Sequence, residues 1–291
     1  MNRVFSISLA AFFFLTAGAH GNNPDLRTPH DGEGYQVQIA ISGRSVLASP
    51  PEGLWSIATD WKDSWPASWL HAKPSDVERV GDWTILRGKL ETPAGTWQLS
   101  DSYLPEGNVI KCIRRFTWEG KETAEHVTLS VRFQCPGKGS RVVLPGILYH
   151  GNPSGAKSGR VPVYSGKPGE EAVFEEHRFP MPYASLEWSA DGGLLGAALH
   201  SLPSPVPYGN LEDQWWSLGL IAKDQGTEMV LMSGPCASNG KRSVIKASQR
   251  GFVPYDNTYI NVQPGAIIEK TFYLEAYPVA RKGSGFQRPT R

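Results

Sequence analysis

Past its first fifteen residues the chain has no apolar run long enough to cross a bilayer. The longest later stretches, Val142 to Tyr149 and Leu194 to Leu199, are strand-sized and broken by Pro or Gly, whereas a spanning helix needs about 20 apolar residues. No stable membrane span is therefore expected. Cysteine is scarce: Cys112, Cys135 and Cys236 lie too far apart for a CxxC metal or redox pattern. One disulfide and three buried thiols both fit that count. His71, His126, His150, His177 and His200 show no HxH or HExxH spacing, so no metal site and no cofactor are read from the sequence. GxSxG, P-loop and strand-bound GxGxxG motifs are missing as well, which sets aside most familiar enzyme classes. Net charge is lacking too: without residues 1–19 the 29 basic residues lose only Arg3, and 28 remain against 28 acidic ones. A neutral chain lacks the basic surface that releases counterions from phosphate, so nucleic acid is not an expected partner.

What is present begins with an export signal. Arg3 precedes the apolar stretch Val4 to Leu15, and Ala17-Gly18-Ala19 follows; a positive start, an apolar centre of about 7–15 residues and an A-x-A site form a cleavable leader. Residues 1–19 are read as that leader, and the protein as secreted or periplasmic. The 272 residues left when 19 are taken from 291 suit one large β domain.

Apolar residues alternate at Tyr35, Val37, Ile39 and Ile41, at Trp83-Ile85, Trp97-Leu99 and Ile110-Cys112, and through Val127, Leu129, Val131 and Phe133. Later runs at 142–144, 186–188, 194–199, 216–221, 229–231 and 268–276 are also strand-like. Gly and Asn at 119–121, 136–139, 191–193 and 238–241 supply turn chemistry and predict antiparallel neighbours on either side. The expectation is an all-β protein, a large antiparallel β-sandwich (supersandwich), with one or two short helical turns. Those turns are placed at Trp61 to His71, where tryptophans fall four apart and Pro66 suits a first helical turn. Residues 20–34 read as a flexible lead-in, 35–286 as a single sandwich domain and 287–291 as a tail; 150–172 is a long Gly-, Pro- and Ser-rich loop.

Three segments could carry chemistry. Glu212-Asp213-Gln214-Trp215-Trp216 sets two acids before paired indoles; adjacent strand residues face opposite ways, leaving one ring for the core and one to stack on a sugar whose hydroxyls the acids would bind. The alternative is that both rings are core and the acids close a turn. Tyr149, His150 and Asn152 stand where a strand opens into the long loop, a place enriched in function. In Glu175-Glu176-His177-Arg178, Arg178 could pair an acid across the sheet, while a solvated charged face is the ordinary reading. Adjacent strand carboxylates face apart, so they do not form a hydrolase pair alone.

At Leu144-Pro145-Gly146-Ile147-Leu148-Tyr149-His150-Gly151-Asn152, with Phe179-Pro180-Met181-Pro182 and Gly283-Ser284-Gly285-Phe286, the chain resembles the N-terminal β-sandwich domains of bacterial six-hairpin glycosidase-like proteins. That sandwich is similar to galactose-mutarotase-like domains. The resemblance implies a downstream catalytic toroid as a partner domain and supplies no catalytic residue to this chain. The function expected is an exported carbohydrate-binding or accessory module for poly- or oligosaccharide, stand-alone or the non-catalytic part of a larger glycosidase. The alternative is a sugar-active enzyme (glycoside hydrolase, polysaccharide lyase or mutarotase) whose site assembles from Tyr149, His150, His177, Arg178, Glu212 and Asp213.

Overall fold

The computed structural model describes residues 23–63, 65–137, 141–146, 148–149, 164, 166–209, 214–234, 238–239 and 258–283. In chain order the strands are β1 (Asp25–Arg27), β2 (Gln38–Ile41), β3 (Arg44–Ala48), β4 (Trp55–Lys62), β5 (Trp65–Ala72), β6 (Asp76–Val80), β7 (Trp83–Thr92), β8 (Gly95–Glu106), β9 (Val109–Gly120), β10 (Ala124–Cys135), β11 (Arg141–Leu144), β12 (Leu148–Tyr149), β13 (Glu171–Glu175), β14 (Tyr183–Ala190), β15 (Gly193–Ser201), β16 (Ser217–Lys223), β17 (Gly226–Met232), β18 (Ser238–Asn239), β19 (Ile260–Val262) and β20 (Ile267–Val279). Among the described residues the only helical element is one 3-10 turn, Glu176–Arg178.

The strands form two antiparallel sheets. The first runs β1-β2-β3-β10-β17-β16-β13-β18, with β4 and β19 also on β10 and β5 on β4; the second runs β12-β11-β14-β15-β20-β9-β8-β7-β6. Period two decides what lies between them. Leu129, Val131 and Phe133 of β10, Met229 and Leu231 of β17 and Leu218 and Leu220 of β16 are buried in one cluster with Trp97, Leu99, Phe116, Phe272 and Leu274 of the second sheet. Phe133 and Phe272 meet with ring centroids 6.2 Å apart. One ion pair is sealed in this core: Arg114 donates from Nε to Asp101 Oδ1 (2.9 Å) and from Nη2 to Oδ2 (2.7 Å), and from Nη1 to the Ser130 carbonyl (2.8 Å). Trp55 Nε1 (2.7 Å) and the Tyr103 hydroxyl (2.6 Å) also donate to Asp101. The carboxylate is thereby satisfied by four donors, which a buried charge requires. Gly88 leaves room for the Trp55 indole, since a Cβ there would sit 2.6 Å from the ring.

The structure corrects several expectations. Trp61 to His71 is not helical but belongs to the β4–β5 hairpin. A spacing of four is a multiple of two, so tryptophans at 61, 65 and 69 suit a strand as well as a helix turn. Pro66 is tolerated because β5 pairs only with β4, at an edge where a missing N–H costs no ladder bond. The turns at 119–121 and 136–139 do not join neighbours: β9 and β11 lie in the second sheet and β10 in the first, so both connections cross the sandwich. The turn at 191–193 does join the β14–β15 hairpin, with Gly192 at φ 80°. Ser238–Asn239, expected in a turn, is instead a short strand on β13. Within the expected lead-in, Asp25–Arg27 pairs with β2, and Lys73 Nζ binds Asp31 (2.8 Å) and Glu33 (2.6 Å). Cys112 and Cys135 are buried free thiols; Cys236 lies outside the described residues.

Candidate functional site

The face of the first sheet turned away from the core is polar along β10 and apolar at Val173, Ile221, Val230 and Met232 of β13, β16 and β17. In register, Ser56 of β4 stands opposite Ser130 of β10 and His71 of β5, while Arg132 stands opposite Val230 of β17. Val230 in turn faces Gly219 of β16, and Ile221 faces both Glu228 and Glu171 of β13. Since Leu129, Val131 and Phe133 point inward, Ser130 and Arg132 must point outward.

The β4–β5 hairpin turns this face into a cleft of about 350 Å³, lined by Trp65, Trp69, His71, Arg132, Glu228 and Glu52 among others. Trp65 is buried, Trp61 and Trp69 are half-buried, and all three pack on Val173, Ile221, Val230 and Met232 as a hydrophobic cluster separate from the main core. Trp61 is fixed by its Nε1, which donates to Thr128 Oγ1 at 2.9 Å. Between Trp65 and Trp69, Ser68 holds φ 53° inside a strand. A non-glycine residue there is uncommon and strained, the kind of outlier that gathers at ligand-binding surfaces.

Arg132 organises the polar floor. It donates from Nε and Nη2 to the two oxygens of Glu228 (2.8 and 2.9 Å), from Nη2 to Glu52 Oε1 (2.7 Å), and from Nη1 to Ser56 Oγ (2.9 Å). Ser56 Oγ lies 2.8 Å from His71 Nδ1. Arginine can only donate, so the serine oxygen accepts from it; a second lone pair and the hydroxyl hydrogen remain, and the imidazole tautomer decides which of them meets Nδ1. In the tautomer that accepts from Ser56 at Nδ1, His71 carries Nε2–H, a donor. Desolvation in the cleft lowers the pKa of His71, and the Arg132 charge lowers it further against the opposing pull of Glu52 and Glu228. The ring is neutral at pH 7. Burial works against ionisation of Glu52, yet its own backbone N–H and Arg132 outweigh it, so its carboxyl sits below the usual range. Aromatic faces beside carboxylates and an imidazole N–H can stack an apolar ring face and bind its rim of hydroxyls.

The residues singled out from sequence do not assemble here. Trp216 is fully buried in the main core, and Trp215 is half-buried with its ring 5.8 Å from that of His177. Neither residue is in a strand: Trp215 forms an isolated bridge with Pro205 and β16 begins at Ser217. Arg178 closes on Glu175 three residues away rather than across a sheet. Tyr149 is in β12, paired with Val143 of β11 in the second sheet. His150, Asn152, Glu212 and Asp213 lie outside the described residues. The expected solvated face at 175–178 is met only in part: His177 and Arg178 are exposed, while Glu175 is 3% and Glu176 0% exposed. Lys270, inward on β20, donates to Glu176 Oε1 (3.0 Å) and Oε2 (2.8 Å) and to the Leu202 carbonyl (2.9 Å), 5.2 Å from the Trp216 ring. Ser201 Oγ (2.5 Å) and the Ser204 N–H (2.7 Å) complete the Glu176 shell. Burial raises the pKa of Glu176 and lowers that of Lys270. This pair ties the 3-10 turn to β20, the middle strand of the second sheet, and has no exposed atom to offer a ligand.

Sequence reasoning missed Trp65, Trp69, Arg132, Glu228 and Glu52, and met His71 only as one isolated histidine. Two signals were available: the polar alternates Thr128, Ser130 and Arg132 within the cleanest strand, and the tryptophan series 61, 65, 69. Glu52 and Glu228 carry none, because only the sheet order brings them to Arg132.

Among described residues no group of His, Cys, Asp and Glu could hold a metal ion. No protein-family model matches the chain and no curated protein matches it. Solved structures of similar shape include a proposed aldose 1-epimerase of Escherichia coli K12 (11% identity, covering 88% of this chain and 100% of that one, TM-score 0.46). A galactose mutarotase-like protein of Lactobacillus casei is 9% identical over 87% of this chain and 100% of its own, with TM-score 0.44. A heparan sulfate lyase mutant of Pedobacter heparinus is 9% identical over 89% of this chain and 36% of its own, with TM-score 0.37.

Proposed function

We propose that this protein is an exported carbohydrate-binding β-sandwich, and that it holds sugar in the cleft between the β4–β5 hairpin and the outer face of β10, β17 and β16. One observation carries the reading: half-buried Trp69, backed by Trp65, borders a floor of Arg132, Glu228, Glu52 and His71 whose hydrogen bonds fix every polar group in place. Preorganised polar groups beside an aromatic platform are what recognition of a hydroxylated ring needs. Titration of soluble polysaccharides into wild type and into Trp69→Ala tests it; equal affinity in the two proteins would remove the cleft from the account. Export is supported by Arg3, the apolar run and Ala17-Gly18-Ala19. The exported protein should begin within a residue or two of His20, and an intact Met1 after fractionation would overturn that part.

A sugar-active enzyme is the second reading, favoured by a different surface. On the second sheet His200 Nε2 lies 3.2 Å from Glu275 Oε2, with the Tyr183 ring 4.5 Å from the imidazole. A histidine held by a carboxylate is a proton-transfer unit. Loss of glycan-modifying activity in His200→Asn would support this reading, and inactivity of wild type on every glycan it binds would exclude it.

A further inference from the structure

We infer that the cleft takes uncharged, hydroxyl-rich sugar units and rejects uronates and sulfated sugars; this rests on the sugar-binding reading and names its substrate class. The argument is one of charge and of spoken-for donors. Three carboxylates, Glu52, Glu171 and Glu228, line the cleft against two cations, Arg132 and Lys223. With His71 uncharged, the lining carries one net negative charge.

The cations are also engaged. Recognition of a carboxylate or sulfate uses an arginine fork aimed at the ligand, but the Arg132 fork is closed on both oxygens of Glu228, and its second Nη2 hydrogen on Glu52. Its remaining terminal nitrogen donates to Ser56. Lys223 Nζ stands 3.7 Å from Glu228. An acidic sugar that took the Arg132 fork would have to displace an internal ion pair, and any acidic sugar entering here would face excess negative charge. A neutral sugar meets an indole face, carboxylate lone pairs and the His71 N–H.

The test measures affinity of the full mature protein for neutral polymers (arabinoxylan, mixed-linkage β-glucan, galactomannan) and for polygalacturonate, alginate and heparan sulfate. Each is run at about 20 and about 300 mM salt, which spans strong and weak screening. Wild type should bind at least one neutral polymer with affinity unchanged by salt within about twofold, since no charge is neutralised on binding. The acidic polymers should bind at least about tenfold more weakly. Glu52→Gln, which removes a negative charge at a part-exposed position and keeps an acceptor for Arg132, should shift the ratio of acidic-polymer to neutral-polymer affinity toward the acidic polymers by about threefold or more. Preference of wild type for an acidic polymer, weakening with salt, would overturn the inference and leave the sugar-binding reading standing. An unchanged Glu52→Gln profile would also overturn it. Failure of every polymer of both sets to bind would remove the proposed function itself.

Discussion

Replacing Lys270 by methionine isolates the buried ion pair from everything else. The side chain is 1% exposed as a residue and holds both oxygens of Glu176. Removing the cation leaves a carboxylate with only Ser201 Oγ and the Ser204 N–H, and breaking such a pair from one side costs about 3–5 kcal/mol. At this chain length that is a fall in melting temperature of about 5–9 °C. The burial of both partners already pushes Glu176 up and Lys270 down, so desolvation opposes the pair and most of the cost is the stranded charge. Lys270→Met/Glu176→Gln, which keeps the acceptor for Ser204 and deletes the charge, should therefore melt above Lys270→Met alone. Acid should narrow the gap: the Glu176 pKa is raised above its ordinary 4.5, so stability lost as pH rises through the folded pKa returns as pH falls through it. Thermal unfolding by circular dichroism at several pH values reads all three proteins. A double variant less stable than Lys270→Met, or a Lys270→Met that melts with wild type, would refute the reasoning.

Trp216→Ala should cost about 3–5 kcal/mol, because the ring is wholly in the core, while Trp215→Ala should cost less than about 1 kcal/mol; chemical denaturation separates them, and equal losses would contradict the burial pattern. With His71 Nδ1 accepting from Ser56, sugar binding should be flat above pH about 6.5 and weaken below it, since protonation puts a hydrogen on Nδ1 as well. His71→Gln, which can accept from Ser56 and still present an N–H, should keep binding and lose that pH dependence; an acid limb that persists in it would place the titrating group elsewhere.

The sandwich itself was legible because period two is written into each strand: Val127 to Phe133 and Ile268 to Ala276 point every second side chain inward in the sheets as in the sequence. Sheet membership was not. Gly120 and Gly137 look like hairpin glycines, but nothing local distinguishes a turn that returns a strand to its neighbour from one that carries it across the core. The cleft failed to appear for the same reason. Arg132 and Glu228 are 96 residues apart, and only the adjacency of β10 and β17 joins them. Glu176 was misread as solvated because charge is usually exposed, and its partner Lys270 lies 94 residues on, in a strand that pairs with neither neighbour of the 3-10 turn.

The central claim, that sugar binds against the β4–β5 hairpin, is tested most directly by calorimetric titration of Trp69→Ala beside wild type, with unfolding curves run on both. Removing an aromatic platform should weaken binding by about 1–3 kcal/mol, on the scale known for base stacking, which is a roughly 5- to 150-fold rise in Kd, in a protein whose melting temperature stays within a few degrees of wild type because Trp69 packs outside the main core. A Trp69→Ala protein that stays folded and binds its glycan with wild-type affinity would contradict the account.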